Sequence, residues 1–304
     1  MGNVVITGAN GFIGRWLATE FNHRGFKVYA IIHKYDENAV YLNQLPNVTM
    51  INCDLDRIES LEAAIPDDDI DLVYHLAWAG STGALKGDYQ VQLANTKQAC
   101  DMALLANKKH CKKFICTGSI AELLLSDEKN YSLFDLGIIY GIQKDSTYRL
   151  LKCICNNLQM EFIWARLTSI YGPFNTSGNL MCYVLESIRK GVRPVFTKSE
   201  QIFDLMYVED TVYALYLLGI SDLSRDNYLI GSGSPRALKD YLLFLQELIR
   251  EYGTIGIGER DKKDLYYHSD WFDTTALVTD TGFHTRIPFE AGIQKTLDWF
   301  LGSA

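Results

Sequence analysis

The sequence predicts an α/β fold, with a doubly wound parallel sheet of the Rossmann type and a smaller C-terminal substrate-binding lobe. Three observations lead to this fold class. Short apolar runs alternate with helical patterns, a glycine-rich loop follows the first run, and the alternation breaks after Arg166. Several runs are apolar throughout, as in strands whose two faces are both covered. The predicted strands are 4–7, 27–33, 48–51, 72–76, 113–117 and 161–166.

Helical periodicity separates these runs and dominates the last third of the chain. The predicted helices are 14–24, 58–64, 89–107, 140–158, 180–190, 237–252 and 289–300. We therefore predict a dinucleotide-binding domain over 1–167, to which segments within 202–231 return. The substrate-binding lobe is predicted over 168–201 and 232–304.

Composition and charge limit the classes of partner. The chain has 304 residues, of which 48% are hydrophobic and 22% charged, and its net charge is −8. Nucleic-acid-binding proteins are normally basic, so nucleic acid is not expected as a partner, although local donors can still bind a phosphorylated ligand. Seven scattered cysteines indicate a reducing compartment. The apolar run at 4–6 is too short for a secretory signal, and no run approaches membrane-spanning length, so we expect a cytoplasmic protein without a membrane partner.

The strongest local signal is a glycine loop between the first strand and the first helix. Gly8, Gly11 and Gly14 are spaced so that the chain turns tightly and a pyrophosphate can approach the backbone. The helix that opens there directs free N–H groups and its dipole at that anion. The loop therefore predicts a nicotinamide dinucleotide site, formed by Gly8, Asn10, Gly11, Phe12, Ile13 and Gly14.

The end of the second strand bears on the choice between NADP and NAD. An acid about twenty residues beyond the loop would bind the adenosine ribose of NAD. Here the chain has His33 and Lys34, and the first carboxylate is Asp36. This basic pair suits a 2′-phosphate, with Arg15 as a second contact, so NADP is predicted. The alternative is that His33 and Lys34 are exposed loop residues and that the enzyme accepts either cofactor.

A tyrosine and a lysine one helical turn apart form the second signal. Tyr140 and Lys144 share a helix face. An ammonium near a phenol is expected to lower the phenol pKa, which lets the pair exchange a proton at a carbon–oxygen bond. Ser119 ends the fifth predicted strand, where ligands bind in parallel sheets, and its hydroxyl could bond the same substrate oxygen. A serine in that position can also be only a helix cap.

Together these motifs resemble the extended short-chain dehydrogenase/reductase family of nucleotide-sugar epimerases, dehydratases and ketoreductases. The resemblance covers nearly the whole chain. It implies that Ser119, Tyr140 and Lys144 are catalytic and that a nucleotide sugar is the substrate. The motifs are the fingerprint TGANGFIG at 7–14, an acidic turn at 53–55, HLAWA at 75–79, RLTSIYGP at 166–173 and QIFDLMYVED at 201–210. The resemblance adds Asp54, Leu55, Leu76, Ala77, Trp78 and Asn95 to the cofactor site, and Ser119, Tyr140, Ser169, Asn179 and Leu180 to the substrate site. Tyr140 and Lys144 are also expected in the cofactor site, with Lys144 at the nicotinamide ribose. No metal is predicted.

Three positions depart from the family pattern. Trp78 stands where the family has a second alanine, Ser169 where it has asparagine, and Phe203 where it has the arginine that binds phosphate. Another cation could supply the missing charge, and the spacing does not choose among Arg189, Arg193, Arg236, Arg260, Lys262 and Lys263. A one-residue shift of the alignment would also place Ile120 in the slot of Ser119. We keep Ser119, which has the hydroxyl.

The predicted reaction is the NADPH-dependent reduction of a nucleotide-linked 4-keto sugar. The 4-keto position follows from the resemblance alone. A 4,6-dehydratase would need an Asp–Glu pair after the serine, and Ile120-Ala121-Glu122 lacks the aspartate. Three alternatives remain: an NAD-dependent 4-epimerase, a reductase of a non-nucleotide carbonyl, and a non-catalytic dinucleotide sensor. The apolar faces of 89–107 and 140–158 predict a homodimer, with burial inside a monomer as the alternative.

Overall fold

A parallel seven-stranded sheet is the centre of the molecule. The computed structural model describes residues 2–133 and 136–302. The strands are β1 (Asn3–Thr7), β2 (Lys27–Ile32), β3 (Val48–Asn52), β4 (Leu72–His75), β5 (Lys113–Ser119), β6 (Glu161–Leu167), β7 (Ser169–Tyr171), β8 (Val195–Phe196), β9 (Ile202–Phe203), β10 (Leu205–Tyr207), β11 (Asn227–Ile230), β12 (Arg236–Ala237) and β13 (Gly256–Ile257). The order in the sheet is β11-β6-β5-β4-β1-β2-β3. This confirms the predicted fold class.

Helices cover both faces of this sheet. They are α1 (Phe12–His23), α2 (Glu37–Leu42), α3 (Glu59–Ala64), α4 (Tyr89–Lys108), α5 (Ile139–Leu158), α6 (Leu180–Arg189), α7 (Val208–Ile220), α8 (Leu238–Leu248), α9 (Thr275–Thr281) and α10 (Phe289–Phe300). The strand order reverses direction between β1 and β4, and the carboxyl ends of parallel strands form a ligand crevice at such a point. The glycine loop and the residues after β4 both lie there.

Three helices were not predicted from the sequence, α2, α7 and α9, and the structure gives different physical reasons for the first two. α7 packs against α1, and apolar side chains surround most of it, so its sequence lacks the one-sided stripe that marks a surface helix. α2 has only six residues, and the side chain of Asp36 caps its first turn by accepting from the Ala39 N–H. The acid closest to the second strand therefore serves a helix cap.

The second half of the chain contributes to the sheet and also forms a lobe. β11 pairs in parallel with β6, while short pairs β7·β10, β8·β13 and β9·β12 lie outside the main sheet. The lobe core contains Tyr171, Leu185, Tyr241 and Ile293. The carboxylate of Asp210, fully buried on α7, accepts from the backbone N–H groups of 286 and 287, which ties the sheet layer to the segment before α10.

The paired helices α4 and α5 expose apolar side chains. Leu93 and Leu104 on α4 and Ile142 and Leu150 on α5 are each at least 40% exposed. Within the described part of the chain, no helix combines the length and the hydropathy that crossing a membrane requires.

Candidate active site

A single cavity of 840 Å³ joins the glycine loop to the lobe. Its walls come from the carboxyl ends of β1, β2, β4 and β5, from the start of α5 and from the segment before α6. The predicted residues that line it are Gly8, Asn10, Gly11, Phe12, Ile13, Gly14, His33, Asp54, Leu55, Leu76, Ala77, Trp78, Ser119, Tyr140, Ser169, Asn179 and Leu180. The structure thus brings most of the predicted site together, and three predicted residues, Lys34, Asn95 and Lys144, do not line it.

The glycine loop has the shape that a dinucleotide pyrophosphate needs. Gly8 has a φ of +67°, a backbone conformation that residues with a side chain rarely adopt. A β-carbon on Gly14 would overlap the carbonyl oxygen of Gly8. Gly11 is the N-cap of α1, and no side chain bonds to the first N–H groups of that helix. A close-packed backbone cradle beside a helix N-terminus fits a nicotinamide dinucleotide.

Of the two basic residues that follow β2, only one lines the cavity. His33 lines the cavity, whereas Lys34 does not, and its carbonyl oxygen accepts from the side-chain amide of Asn10 at 2.9 Å. Arg15 lies between the rings of Tyr41 and Phe174, with its guanidinium carbon 3.9 and 3.6 Å from the two ring centroids. Arg15 does not line the cavity, so the structure does not support it as a second contact to a 2′-phosphate.

Asn95 has a structural position rather than a place in the cavity wall. Its side chain is 2% exposed, accepts from the Ala79 N–H at 2.9 Å and donates to the Ala79 carbonyl at 2.8 Å. These two bonds fix the segment that follows β4, which includes Ala77 and Trp78. The sequence-based assignment of Asn95 to cofactor contact is therefore corrected: Asn95 acts through the backbone of this segment.

Ser119 and Tyr140 meet at the middle of the cavity. Ser119 is the last residue of β5, and its side chain is near enough to that of Tyr140, the second residue of α5, to act on the pKa of the phenol. The Ser119 hydroxyl also accepts from the Ala121 N–H at 3.2 Å. Ser119 is thus both a cap of the turn that follows and a neighbour of the phenol, so the two sequence interpretations are compatible.

Lys144 lies just beneath the cavity wall, one turn after Tyr140. Its side chain is buried, and its ammonium donates to the Thr117 carbonyl at 2.6 Å. The Lys144 nitrogen lies 3.5 Å from the centroid of the Trp78 indole and 5.9 Å from that of the Tyr140 ring. The departure from the family alanine at Trp78 therefore gives the buried ammonium an aromatic face as a contact.

The pKa values of this pair follow burial. Burial raises the pKa of Tyr140 to about 12, while its hydrogen bond with Ser119 acts in the opposite direction. Burial lowers the pKa of Lys144 to about 8. The expectation that the ammonium lowers the pKa of the phenol is not met, because desolvation has the larger effect. Tyr140 is consequently a phenol at neutral pH, the form that can donate a proton.

Glu122 faces away from the cavity. Its carboxylate is 1% exposed and forms an ion pair with Arg166 at 2.9 Å. It also accepts from the Trp164 indole N–H at 3.0 Å and from the Ser119 N–H at 2.6 Å. A buried carboxylate with all these partners supports the end of β5 and offers no base to a substrate.

The lobe side of the cavity is largely neutral. Asn179 caps α6 through the Cys182 N–H, and its amide donates to the Ile170 carbonyl at 2.8 Å. Phe203 lines the wall and packs edge-on against Tyr267, with the ring centroids 6.2 Å apart. None of the six cations suggested by the sequence lines the cavity. Arg189, Arg193 and Arg236 pair with Glu186, Glu259 and Glu290.

Several lining residues were not found from the sequence. Lys86, Asn175 and Tyr267 are the most relevant to chemistry. Lys86 belongs to a short 3₁₀ turn and the other two to irregular segments, where hydrophobic periodicity gives no information on the direction of a side chain. Only Asn175 had a signal that could have been used, since it follows the Tyr171-Gly172-Pro173 turn by two residues.

Comparisons with known proteins agree with this architecture. The model of the NAD dependent epimerase/dehydratase family matches residues 4–231. CDP-abequose synthase of Salmonella typhimurium is 27% identical over 97% of both chains, and a dTDP-glucose 4,6-dehydratase of Escherichia coli is 28% identical over 54% of this chain and 48% of that protein. The solved UDP-glucuronic acid 4-epimerase of Bacillus cereus in complex with NAD superposes with a TM-score of 0.81 at 18% identity, over 99% of both chains. The chain is therefore an enzyme of the NAD-dependent epimerase/dehydratase family, within the extended short-chain dehydrogenases/reductases.

Proposed function

We propose that this enzyme uses NADPH to reduce the 4-keto group of a nucleotide-linked sugar. The observation that carries the proposal is the contact of Ser119 with a protonated Tyr140 in a cavity that is continuous with the glycine cradle. A relative that matches over nearly its whole length, CDP-abequose synthase, is named for a nucleotide-linked sugar, which supports this substrate class.

The residues of the chain divide the work as follows. Ser119 orients the carbonyl oxygen of the substrate toward the phenol, and Tyr140 donates its proton to that oxygen. Lys144, held by Thr117 and Trp78, places a positive charge under the reacting groups, where it stabilises the phenolate that Tyr140 leaves. When bound, NADPH supplies the hydride to the carbonyl carbon. The cradle of Gly8, Gly11 and Gly14 would hold its pyrophosphate.

The test is loss of nicotinamide absorbance with a panel of nucleoside-diphosphate 4-ketosugars. The proposal expects NADPH consumption that requires the ketosugar. Formation of a 4-epimer without net NADPH consumption would assign the enzyme to the epimerases. The solved relatives include 4-epimerases, which makes this the second candidate.

We predict that His33→Asp combined with Lys34→Ala shifts the cofactor preference toward NAD. A carboxylate at the end of β2 would accept from ribose hydroxyls and repel a 2′-phosphate. The ratio of kcat/KM for NADPH over NADH should fall by about tenfold or more, the equivalent of roughly one lost charged contact. Glu37→Ala, on the neighbouring helix and outside the cavity wall, is the control and should leave the ratio unchanged. An unchanged ratio in the double variant would refute the assignment to NADP.

We predict that activity falls above about pH 8, with Lys144 as the cause. The ammonium exists below its pKa of about 8 and is lost as pH rises through that value. The measurement is kcat/KM against pH, with a slope approaching tenfold per pH unit on the alkaline side. Lys144→Arg keeps its charge at every tested pH. The kcat/KM of any residual activity should therefore no longer fall on the alkaline side. An alkaline limb that persists unchanged in Lys144→Arg would contradict the prediction.

We further propose a homodimer formed through α4 and α5. Both helices expose apolar side chains, which a two-fold partner would cover. A mass in solution of one 34.5 kDa chain would contradict this.

A further inference from the structure

The charges that line the cavity are unevenly distributed. Asp54 and Asp56 lie at the end near β3, and among the described residues of the wall Lys86 is the only lysine or arginine. The chain as a whole carries a net charge of −8, so any electrostatic attraction of an anionic substrate has to come from local groups. The backbone donors of the glycine loop serve the cofactor pyrophosphate, and a cation elsewhere in the wall would favour the diphosphate of a substrate.

Lys86 is carried by a fixed turn. It lies in the 3₁₀ turn Ala84–Gly87, between β4 and α4. The fully buried side-chain amide of Gln92 donates to the carbonyls of Gly80 at 2.9 Å and Leu85 at 3.0 Å, which fixes the turn from below. The ammonium of Lys86 lies 5.3 Å from the centroid of the Tyr140 ring. The side chain is therefore directed at the part of the cavity where the reaction would occur.

The opposite wall supplies neutral donors and no charge. The family arginine is replaced by Phe203, and the side-chain nitrogen of Asn175 has no hydrogen-bond partner among the described residues although Asn175 is 7% exposed and lines the cavity. The hydroxyl of Thr82, on the loop of Lys86, donates to the carbonyl of Ser177, two residues beyond Asn175. The loops that carry Lys86 and Asn175 are thus in direct contact at one end of the cavity.

We infer that Lys86 supplies the positive charge that binds the diphosphate of the substrate, in place of the arginine that Phe203 replaces. Asn175 adds a neutral donor from the facing loop. The inference rests on the proposed nucleotide-linked substrate and names the residue that recognises its charge. A lysine presents a point charge on a flexible stem, so it can bind a phosphate without the planar geometry that an arginine requires.

Equilibrium binding separates this role from the others. NADPH-loaded enzyme is titrated calorimetrically with CDP, UDP, dTDP and GDP, and with the four unphosphorylated nucleosides. Lys86→Met should weaken the best-bound diphosphate by about 10- to 100-fold, the range for a hydrogen bond to a charged group, and should leave the matching nucleoside unaffected. Lys86→Arg should recover most of the affinity. Lys97→Met, which removes an exposed lysine paired with Asp101 on α4, is the matched control and should bind like the wild type.

Each outcome bears on a different claim. Lys86→Met that binds the diphosphate as tightly as the wild type overturns the inference and leaves the proposed function standing. The inference is equally overturned if diphosphate and nucleoside weaken together, since this indicates a disturbed pocket. A shifted pH profile with intact diphosphate binding would assign Lys86 to Tyr140 instead. A wild-type enzyme that binds none of the four diphosphates refutes the nucleotide-linked substrate itself.

Discussion

Tyr140→Phe is expected to lower the turnover of the ketosugar by about 10²- to 10⁴-fold, the range for removal of a general acid. The variant keeps the ring that packs edge-on against Trp78 and removes only the hydroxyl that lies near Ser119. Steady-state NADPH consumption measures the loss. The affinity for NADPH, measured by cofactor fluorescence, should change little because the phosphate cradle is untouched.

Tyr148→Phe is the matched control for this experiment. Tyr148 lies on the same helix but bonds to Asp226 at 3.2 Å, outside the cavity wall. Its loss should cost about 1 kcal/mol of stability at most and leave turnover intact. Near-normal turnover in Tyr140→Phe would show that another group delivers the proton, and the proposed mechanism would fail.

Gly14→Ala is expected to abolish cofactor binding at concentrations that saturate the wild type. The added β-carbon would overlap the carbonyl oxygen of Gly8, and both partners are backbone or fixed to it, so the loop must move. Displacement of the loop removes the N–H groups at the start of α1 from the pyrophosphate. Titration of NADPH, followed by fluorescence, measures the loss, which we expect to exceed about 100-fold.

A milder substitution and a control substitution should lower the affinity for NADPH less than Gly14→Ala does. In Gly11→Ala the new β-carbon would lie 3.1 Å from the same oxygen, so a smaller loss is expected. Gly191→Ala places a β-carbon in open space at a φ of +66°, outside the cavity wall, and should cost only about 1 kcal/mol of stability. Wild-type NADPH affinity in Gly14→Ala would contradict the assignment of this loop to the pyrophosphate.

The first half of the fold was predictable because it repeats a physical pattern. Strands buried on both faces are continuously apolar, and β1, β2 and β4 begin and end within one residue of their predicted bounds. α7 was not predicted because burial on most sides removes the contrast between polar and apolar faces that periodicity detects. Its tertiary neighbour α1 ends at His23, whereas α7 begins at Val208, and no local pattern contains that information.

The residues of the candidate site likewise fall into those that the sequence could predict and those that it could not. Ser119, Tyr140 and the glycine loop lie at element ends, which a sequence pattern can locate. Lys86 reaches the cavity from a short 3₁₀ turn and Tyr267 from an irregular segment, so the direction of both side chains depends on packing. Arg15 shows the converse, since its sequence position suggested a phosphate contact and two aromatic rings hold it elsewhere.

The first helix, α1, contacts the segment that leads into the substrate side of the cavity. Its Trp16 donates to the Pro173 carbonyl at 3.2 Å, and its Arg15 stacks on Phe174, which adopts a φ of +67°. The chain then continues directly into the loop of Asn175 and the cap at Asn179. The helix that would hold the pyrophosphate therefore contacts the segment that leads into the substrate wall, so we expect occupancy of either half of the cavity to alter the affinity of the other half for its ligand.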